Sequence, residues 1–467
     1  MPKPPRTHQP AHTIASFLIF CFFCIADVQA QQEVDLLITG GHVFETESGE
    51  FVPNTCIAVL EGRFLNVGAS ATEYRSAEEL RLSENQYVLP GLVDCHAHYN
   101  VRLIRKRREE FEVMPVVYLA NGSTVTFSCG EFDPEAMLAL RKRIESGEQI
   151  GPRLITSGPY FGRARPSWRG IPEQQQIFDE VDFWVEQGTG GFKAKAIDPE
   201  SLQHLITRAH HHGLTVTGHL DSGYRGSVNP GDAIEMGIDR VEHFLGGDAM
   251  PDSRSAYASL GDITADMPEY KAIVEKYLEN DVVFDATLTA YGYFGSPREE
   301  FEYWYDERSL FTPHMQQVVL DRPDKEPMAV FEKIYLAKQQ TIGAFFEAGG
   351  TISMGTDHVS DGNHLPGFGA HRELDAFVRN GIPEADAIRI GTINGARALG
   401  IEDDHGSIEE GKVADLFIIE GSPLENIRST RNIETVIRAG VVYDSAQLLE
   451  SVSGKLGPAS REEESDW

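Results

Sequence analysis

Val88-Leu89-Pro90-Gly91-Leu92-Val93-Asp94-Cys95-His96-Ala97-His98 is a short apolar run that ends in His-x-His. It reads as a buried strand at Val88–Val93 that delivers two imidazoles at its C-terminal end. Residues i and i+2 of a strand point to the same face, so His96 and His98 converge on one point. Neutral imidazole is the commonest protein metal ligand, and two on one face make half of a zinc site. An isolated His-x-His is more often a pair of structural histidines, so the surrounding chain has to decide.

Outward from this stretch, strand and helix signals alternate. Thr124–Ser128 is followed by a helical pattern over Pro134–Glu145, and Arg153–Ser157 by a helix near 174–187. Gly191–Ile197 precedes a helix at Pro199–His212, and Thr215–His219 a helix around Asp232–Met236. Arg240–His243, Asp281–Asp285 and Gly350–Asp357 complete the series. With Val88–Val93 this makes eight strands with helical crossovers, the pattern of a parallel (β/α)8 TIM barrel. Short strands recur on both sides, at 33–68 and again at 414–442. They predict a small β-sandwich built from both chain ends. The resulting division is 31–87 and 398–444 for the sandwich, 88–397 for the barrel and 445–467 for a frayed polar tail. Residues 102–110, rich in Lys and Arg, read as a solvated loop or helix face. Residues 291–330 are long enough to be either a lid over the barrel mouth or a peripheral packing helix.

Before the sandwich, Lys3 and Arg6 precede an apolar run from Ile14 to Val28, with small residues at Val28-Gln29-Ala30. That is the pattern of a secretory signal peptide over 1–30, and it predicts a secreted or periplasmic protein with no membrane span after cleavage. Beyond it only Cys56, Cys95 and Cys129 remain, too few for a disulfide scaffold. The 72 acidic residues outnumber 41 basic ones, for a net charge of −31. Such a field disfavours nucleic acid and anionic membrane surfaces as partners. A small-molecule substrate is the expected partner, and homo-oligomerisation is compatible with the composition.

Catalytic groups of a barrel sit at the C-terminal ends of its strands. Those ends carry His96 and His98 on strand one, Lys193 on strand four, His219 on strand five, His243 on strand six and Asp357 on strand eight. Each alone has a structural explanation; six together point to a metal site. The spacing leaves Lys193 and Lys195 on the same strand face and does not choose between them.

Three motifs, Pro90-Gly91-Leu92-Val93-Asp94-Cys95-His96-Ala97-His98, Gly188-Thr189-Gly190-Gly191-Phe192-Lys193 and Gly355-Thr356-Asp357, resemble those of the amidohydrolase superfamily. Asn394–Gly400 and Gly406–Leu416 extend the resemblance towards the chain end. Within the superfamily the chain is most similar to the branch of Xaa-Pro dipeptidases, imidazolonepropionase-like proteins and ochratoxinase-like amidases. The resemblance implies two divalent metal ions, usually zinc. His96, His98 and Asp357 would hold the more buried ion, and His219 and His243 the more exposed one. Lys193, rather than Lys195, would bridge them as an N6-carboxylated lysine, because an ammonium has no lone pair to offer two cations. A metal-bridging hydroxide, formed as the pKa of water falls from about 16 towards 7, would attack an amide or peptide-like C–N bond of a dipeptide or N-acyl amino acid. Asp357 would carry the proton to the leaving amine. Tyr224 and His358, just beyond ligands, are candidate substrate contacts. Arg163, Arg165 and Arg169 are candidates for recognising a substrate carboxylate.

Three alternatives stay in view. A mononuclear deaminase of the superfamily usually carries His-x-x-Glu at strand five, whereas this chain has His219-Leu220-Asp221-Ser222. A phosphotriesterase- or lactonase-like hydrolase would use the same water. A non-catalytic relative would be expected to have lost several of the six residues.

Overall fold

The computed structural model describes residues 1–2, 31–68, 70–220, 227–243, 245, 262–297, 300–301, 303–304, 306–320, 326–358 and 364–467. The expected leader and Tyr224 lie outside the described residues. Eight parallel strands run through the middle of the chain: β1 Leu92–Ala97, β2 Ser123–Ser128, β3 Arg153–Thr156 and β4 Gly191–Lys195, then β5 Thr215–His219, β6 Arg240–Glu242, β7 Val283–Asp285 and β8 Ile352–Ser353. They form a three-stranded sheet in the order β3-β2-β1 and a five-stranded sheet in the order β4-β5-β6-β7-β8. β1 and β2 are buried at every residue, as expected of parallel strands covered on both faces.

Backbone hydrogen bonds cross both seams between these sheets. Between β3 and β4, Gly190 N donates to Thr156 O (3.0 Å), Phe161 N to Lys193 O (2.9 Å) and Lys195 N to Phe161 O (2.9 Å). Between β8 and β1, Cys95 N donates to Met354 O (2.8 Å) and Asp357 N to His96 O (2.9 Å). The crossover helices start on side-chain caps. Asp133 accepts from Ala136 N (3.0 Å) at the head of Pro134–Glu145, and Asp198 accepts from Ser201 N (2.9 Å) at the head of Pro199–His211. In both, proline occupies the first turn, where its missing N–H costs nothing.

The chain ends do join in one unit, but as one hydrogen-bonded sheet of eight strands. The strand Glu78–Pro90 lies at its middle, parallel to Leu36–Glu45 and antiparallel to Leu416–Glu420. Its 13 residues move the expected boundary: Val88, Leu89 and Pro90 pair with Ile418, Phe417 and Leu416, and the first barrel strand begins at Leu92. Gly40 marks a register shift in this sheet, with φ of +83° and a Cβ that would lie 2.5 Å from Leu82 O, so only glycine fits. Leu36, Ile57, Val59, Phe64 and Leu416 pack into a core of their own, while Phe44, Leu89 and Phe417 join the barrel core.

The tail is a second correction. Residues 445–467 open with a helix, Ser445–Ser451, and bury Leu448, Val452 and Leu456. Leu456 N donates to Leu310 O (2.8 Å), and Thr312 Oγ1 donates to Pro458 O (2.6 Å). These apolar residues stand in a polar stretch, and their docking surface comes from chain about 150 residues away.

Candidate metal centre

The His-x-His stretch and Gly355-Thr356-Asp357 are locked together below the mouth by Asp94. Its buried carboxylate accepts from His96 N (3.0 Å), Thr356 N (3.1 Å) and Thr356 Oγ1 (2.6 Å). Burial pushes Asp94 up to about 6, and these donors hold it from rising further. Asp357 thereby meets both histidines: its Oδ1 lies 3.0 Å from His98 Nε2 and 3.4 Å from His96 Nε2. Burial works to raise the Asp357 carboxyl, but the His98 hydrogen bond and the charges around it hold it below the usual carboxylate range.

The other three expected residues close the same space. His243 Nδ1 lies 3.9 Å from Asp357 Oδ2, and the His243 ring is centred 5.0 Å from His96 and 4.5 Å from His219. Lys193, in the middle of β4 rather than at its end, points its Nζ at Glu242 Oε2. The structure therefore brings together all six of His96, His98, Lys193, His219, His243 and Asp357. His243 and Asp357 both have left-handed backbones, at φ of +65° and +45°. That conformation is costly for residues with a Cβ and gathers at functional sites.

Glu242 is the residue that strand periodicity missed. It is wholly buried, and its Oε2 lies 3.6 Å from His243 Nε2 and 3.7 Å from His96 Nδ1. Its Oε1 accepts from Cys129 Sγ (2.9 Å) and Thr217 Oγ1 (2.8 Å). Below it, Asp285 Oδ2 is 3.7 Å from His96 Nδ1 and 3.9 Å from the buried Arg240 guanidinium.

This donor set fits divalent cations. The ligating atoms of His96, His98 and Asp357 lie within 4.8 Å of one another, and so do those of His96, Glu242 and His243. His96 Nδ1 and both Asp285 oxygens are buried without a hydrogen-bond partner. Burial, reinforced by neighbouring Lys193 and His219, holds His96 and His243 well below the ordinary histidine range. They are neutral, which is the ligating form. Burial also brings the Lys193 ammonium down to about 8.

A cavity of about 190 Å³ opens above the centre, with His98, His219 and Asp357 on its floor. Tyr291, Phe294 and Phe331, from helices Leu288–Gly295 and Ala329–Glu347, also line it, so the start of the 291–330 segment contributes to the cavity. His358 is buried at the rim; its Nδ1 faces Thr356 O (3.2 Å) and its ring packs 3.9 Å from His364. Arg165 does not reach the cavity. It forms a two-pronged pair with Glu180, one contact at 2.9 Å. The residues read as a solvated loop at 102–110 are instead largely a hairpin, Asn100–Leu103 with Lys106–Glu109, and its Arg107 lines the cavity. The unbroken basic run Arg105-Lys106-Arg107-Arg108 gave no signal of which side chain would turn inward.

The chain is 22% identical to a 5-methylthioadenosine/S-adenosylhomocysteine deaminase of Haloquadratum walsbyi, over 85% of this chain and 87% of that protein. A solved Xaa-Pro dipeptidase with bound methionine superposes with a TM-score of 0.65 at 21% identity, covering 88% of this chain and 99% of the dipeptidase. A molinate hydrolase superposes with a TM-score of 0.68 at 18% identity, covering 92% and 98%. The amidohydrolase family itself matches residues 87–443, from the middle strand of the terminal sheet to its last. By that match the chain belongs to the amidohydrolase family, metal-dependent hydrolases acting on carbon–nitrogen bonds.

Proposed function

We propose that this chain hydrolyses an amide or peptide-like C–N bond in a dipeptide or N-acyl amino acid. The observation that carries this reading is the convergence of His96, His98, His219, His243, Asp357 and Lys193 beneath one cavity. We read the two parallel sheets as a single (β/α)8 barrel, joined by the backbone bonds at its two seams, with this centre at its C-terminal mouth.

His96, His98 and Asp357 would hold one divalent ion, and His219 and His243 a second, with zinc the expected metal. Such ions supply Lewis acidity and lower the pKa of water. Lys193 is suited to carboxylation: burial lowers its pKa, so part of it is free amine, the form that adds carbon dioxide. Asp357, held below the usual carboxylate range beside His98, would accept a proton and return it to the leaving amine. The aromatic lining sheds water and receives an apolar side chain. Export on the 1–30 leader belongs to the same reading, and a mature N-terminus near Gln31 is its expected mark.

Deamination is the second reading, favoured by the name of the Haloquadratum relative. His219-Leu220-Asp221-Ser222 lacks the glutamate that ring protonation needs, and a lysine at the centre of β4 suits a paired-metal site. Metal-replete protein assayed against dipeptides, N-acyl amino acids and methylthioadenosine separates the two. About two divalent ions per chain and loss of turnover on chelation are expected. Protein without metal, or with activity indifferent to chelator, would remove the hydrolase reading.

A further inference from the structure

Residues 100–109 begin two positions after His98 and form the antiparallel hairpin described above. Neighbouring residues of a strand face opposite sides. Lys106 and Arg108 use one side. Lys106 Nζ donates to the carbonyls of Glu464 (2.6 Å) and Ser465 (2.9 Å), and the Arg108 guanidinium lies 5.8 Å from the centre of the Trp467 ring. Arg107 uses the other side, and it faces the cavity. The docked C-terminal segment thus fixes which way Arg107 points.

Arg107 is one end of a short stack. Its guanidinium lies 5.4 Å from the Phe132 ring, Phe132 is 5.3 Å from Tyr160, and the Lys195 ammonium is 5.6 Å from Tyr160. Two cations from different elements therefore sit side by side in a cavity that Tyr291, Phe294 and Phe331 also line. Among the described residues the cavity has one carboxylate, Asp357, and it is engaged by His98. The Arg107 guanidinium rests against the Phe132 ring, with the Glu109 carboxylate within electrostatic reach. In a chain of net charge −31, the described lining of this cavity holds two cations, Arg107 and Lys195, and one carboxylate, Asp357. The field of the chain does not draw anions from afar, so local pairing must supply the affinity.

We infer that Arg107, with Lys195 beside it, forms a carboxylate subsite. The substrate is then an amide with a free carboxylate at one end and an apolar or aromatic group at the other. This rests on the amide-hydrolase reading and adds which end of the substrate is recognised and by what. The planar fork of arginine donates two parallel hydrogen bonds to a carboxylate, and a lysine adds a point charge. With the carboxylate at the two cations and the apolar group against the aromatic lining, the amide lies over His98, His219 and Asp357.

Titration calorimetry of the metal-replete protein with N-acetyl-L-phenylalanine and with its primary amide tests the subsite without turnover. The acid is expected to bind about 10- to 100-fold more tightly than the amide. Arg107→Gln is expected to erase that preference while the metal content, read by elemental analysis, is unchanged. In steady-state assays the same substitution should raise KM for N-acyl amino acids far more than for their carboxyl-amidated forms. Equal binding of acid and amide by the wild type, binding of neither, or a full preference for the acid in Arg107→Gln would overturn the inference. A wild type that selects the acid but cleaves no amide would leave the subsite standing and sink the hydrolase reading.

Discussion

Lys193 and Glu242 meet inside the molecule as an ion pair whose side chains are 1% and 0% exposed. The pair is not isolated: Cys129 and Thr217 satisfy the far oxygen of Glu242, and His96 and His243 face the near one. A buried pair contributes little net stability, but removing one partner leaves an uncompensated charge out of water.

Glu242→Gln should therefore destabilise the chelated protein by about 3–5 kcal/mol, measured by urea unfolding. It should also lower the metal content at a fixed free-metal concentration, because the amide removes a negative charge facing two ligand histidines. Wild-type stability and wild-type loading would show that Glu242 is a spectator.

Lys193 and Lys195 should separate cleanly. Lys193 reaches the buried centre, whereas Lys195 lines the cavity. Lys193→Ala should lose the paired metals and nearly all turnover, with partial rescue by an added short carboxylic acid. Lys195→Ala should keep its metals and change mainly substrate affinity. The opposite pattern in elemental analysis would mean that the roles are exchanged.

Asp357→Asn keeps the shape of the side chain and removes its ability to take a proton. Turnover of the metal-loaded variant should fall by about 10²- to 10⁴-fold, the range of general acid–base catalysis. Near-normal rates with full metal occupancy would take Asp357 out of the proton path.

Lys338 is a buried lysine whose Nζ donates to His243 O and to Ala286 O (2.6 Å), the backbone just beyond β6 and β7. Lys338→Met would strip that ammonium from two carbonyls and cost about 2–5 kcal/mol. His243, held at φ of +65°, should then grip metal less tightly in a chelator competition. Loss of stability with unchanged metal affinity would confine Lys338 to a structural role.

Much of the centre was legible in the sequence because it is local. His96 and His98 share a face through two-residue periodicity, and the pattern of strands and crossovers places one candidate after another at strand ends. The helix at Pro134–Glu145 was legible for the same reason, from the helical pattern of its own residues. Signals written within a few residues survive without knowledge of the fold.

What only the tertiary structure decided lies where distant segments meet or the backbone leaves its regular path. On a regular strand Glu242 and His243 would face opposite sides, so periodicity admits only one of them to the centre. The left-handed turn at His243 brings both to it. Arg107 is one of several basic residues in a row until Glu464, Ser465 and Trp467 engage its neighbours and leave it facing the cavity. The polar tail becomes part of the fold because Leu310 and Thr312, far back in the chain, offer it hydrogen-bond partners. Sequence spacing encodes which face a side chain takes within an element; which elements come to face each other is settled by burial and pairing across the whole chain.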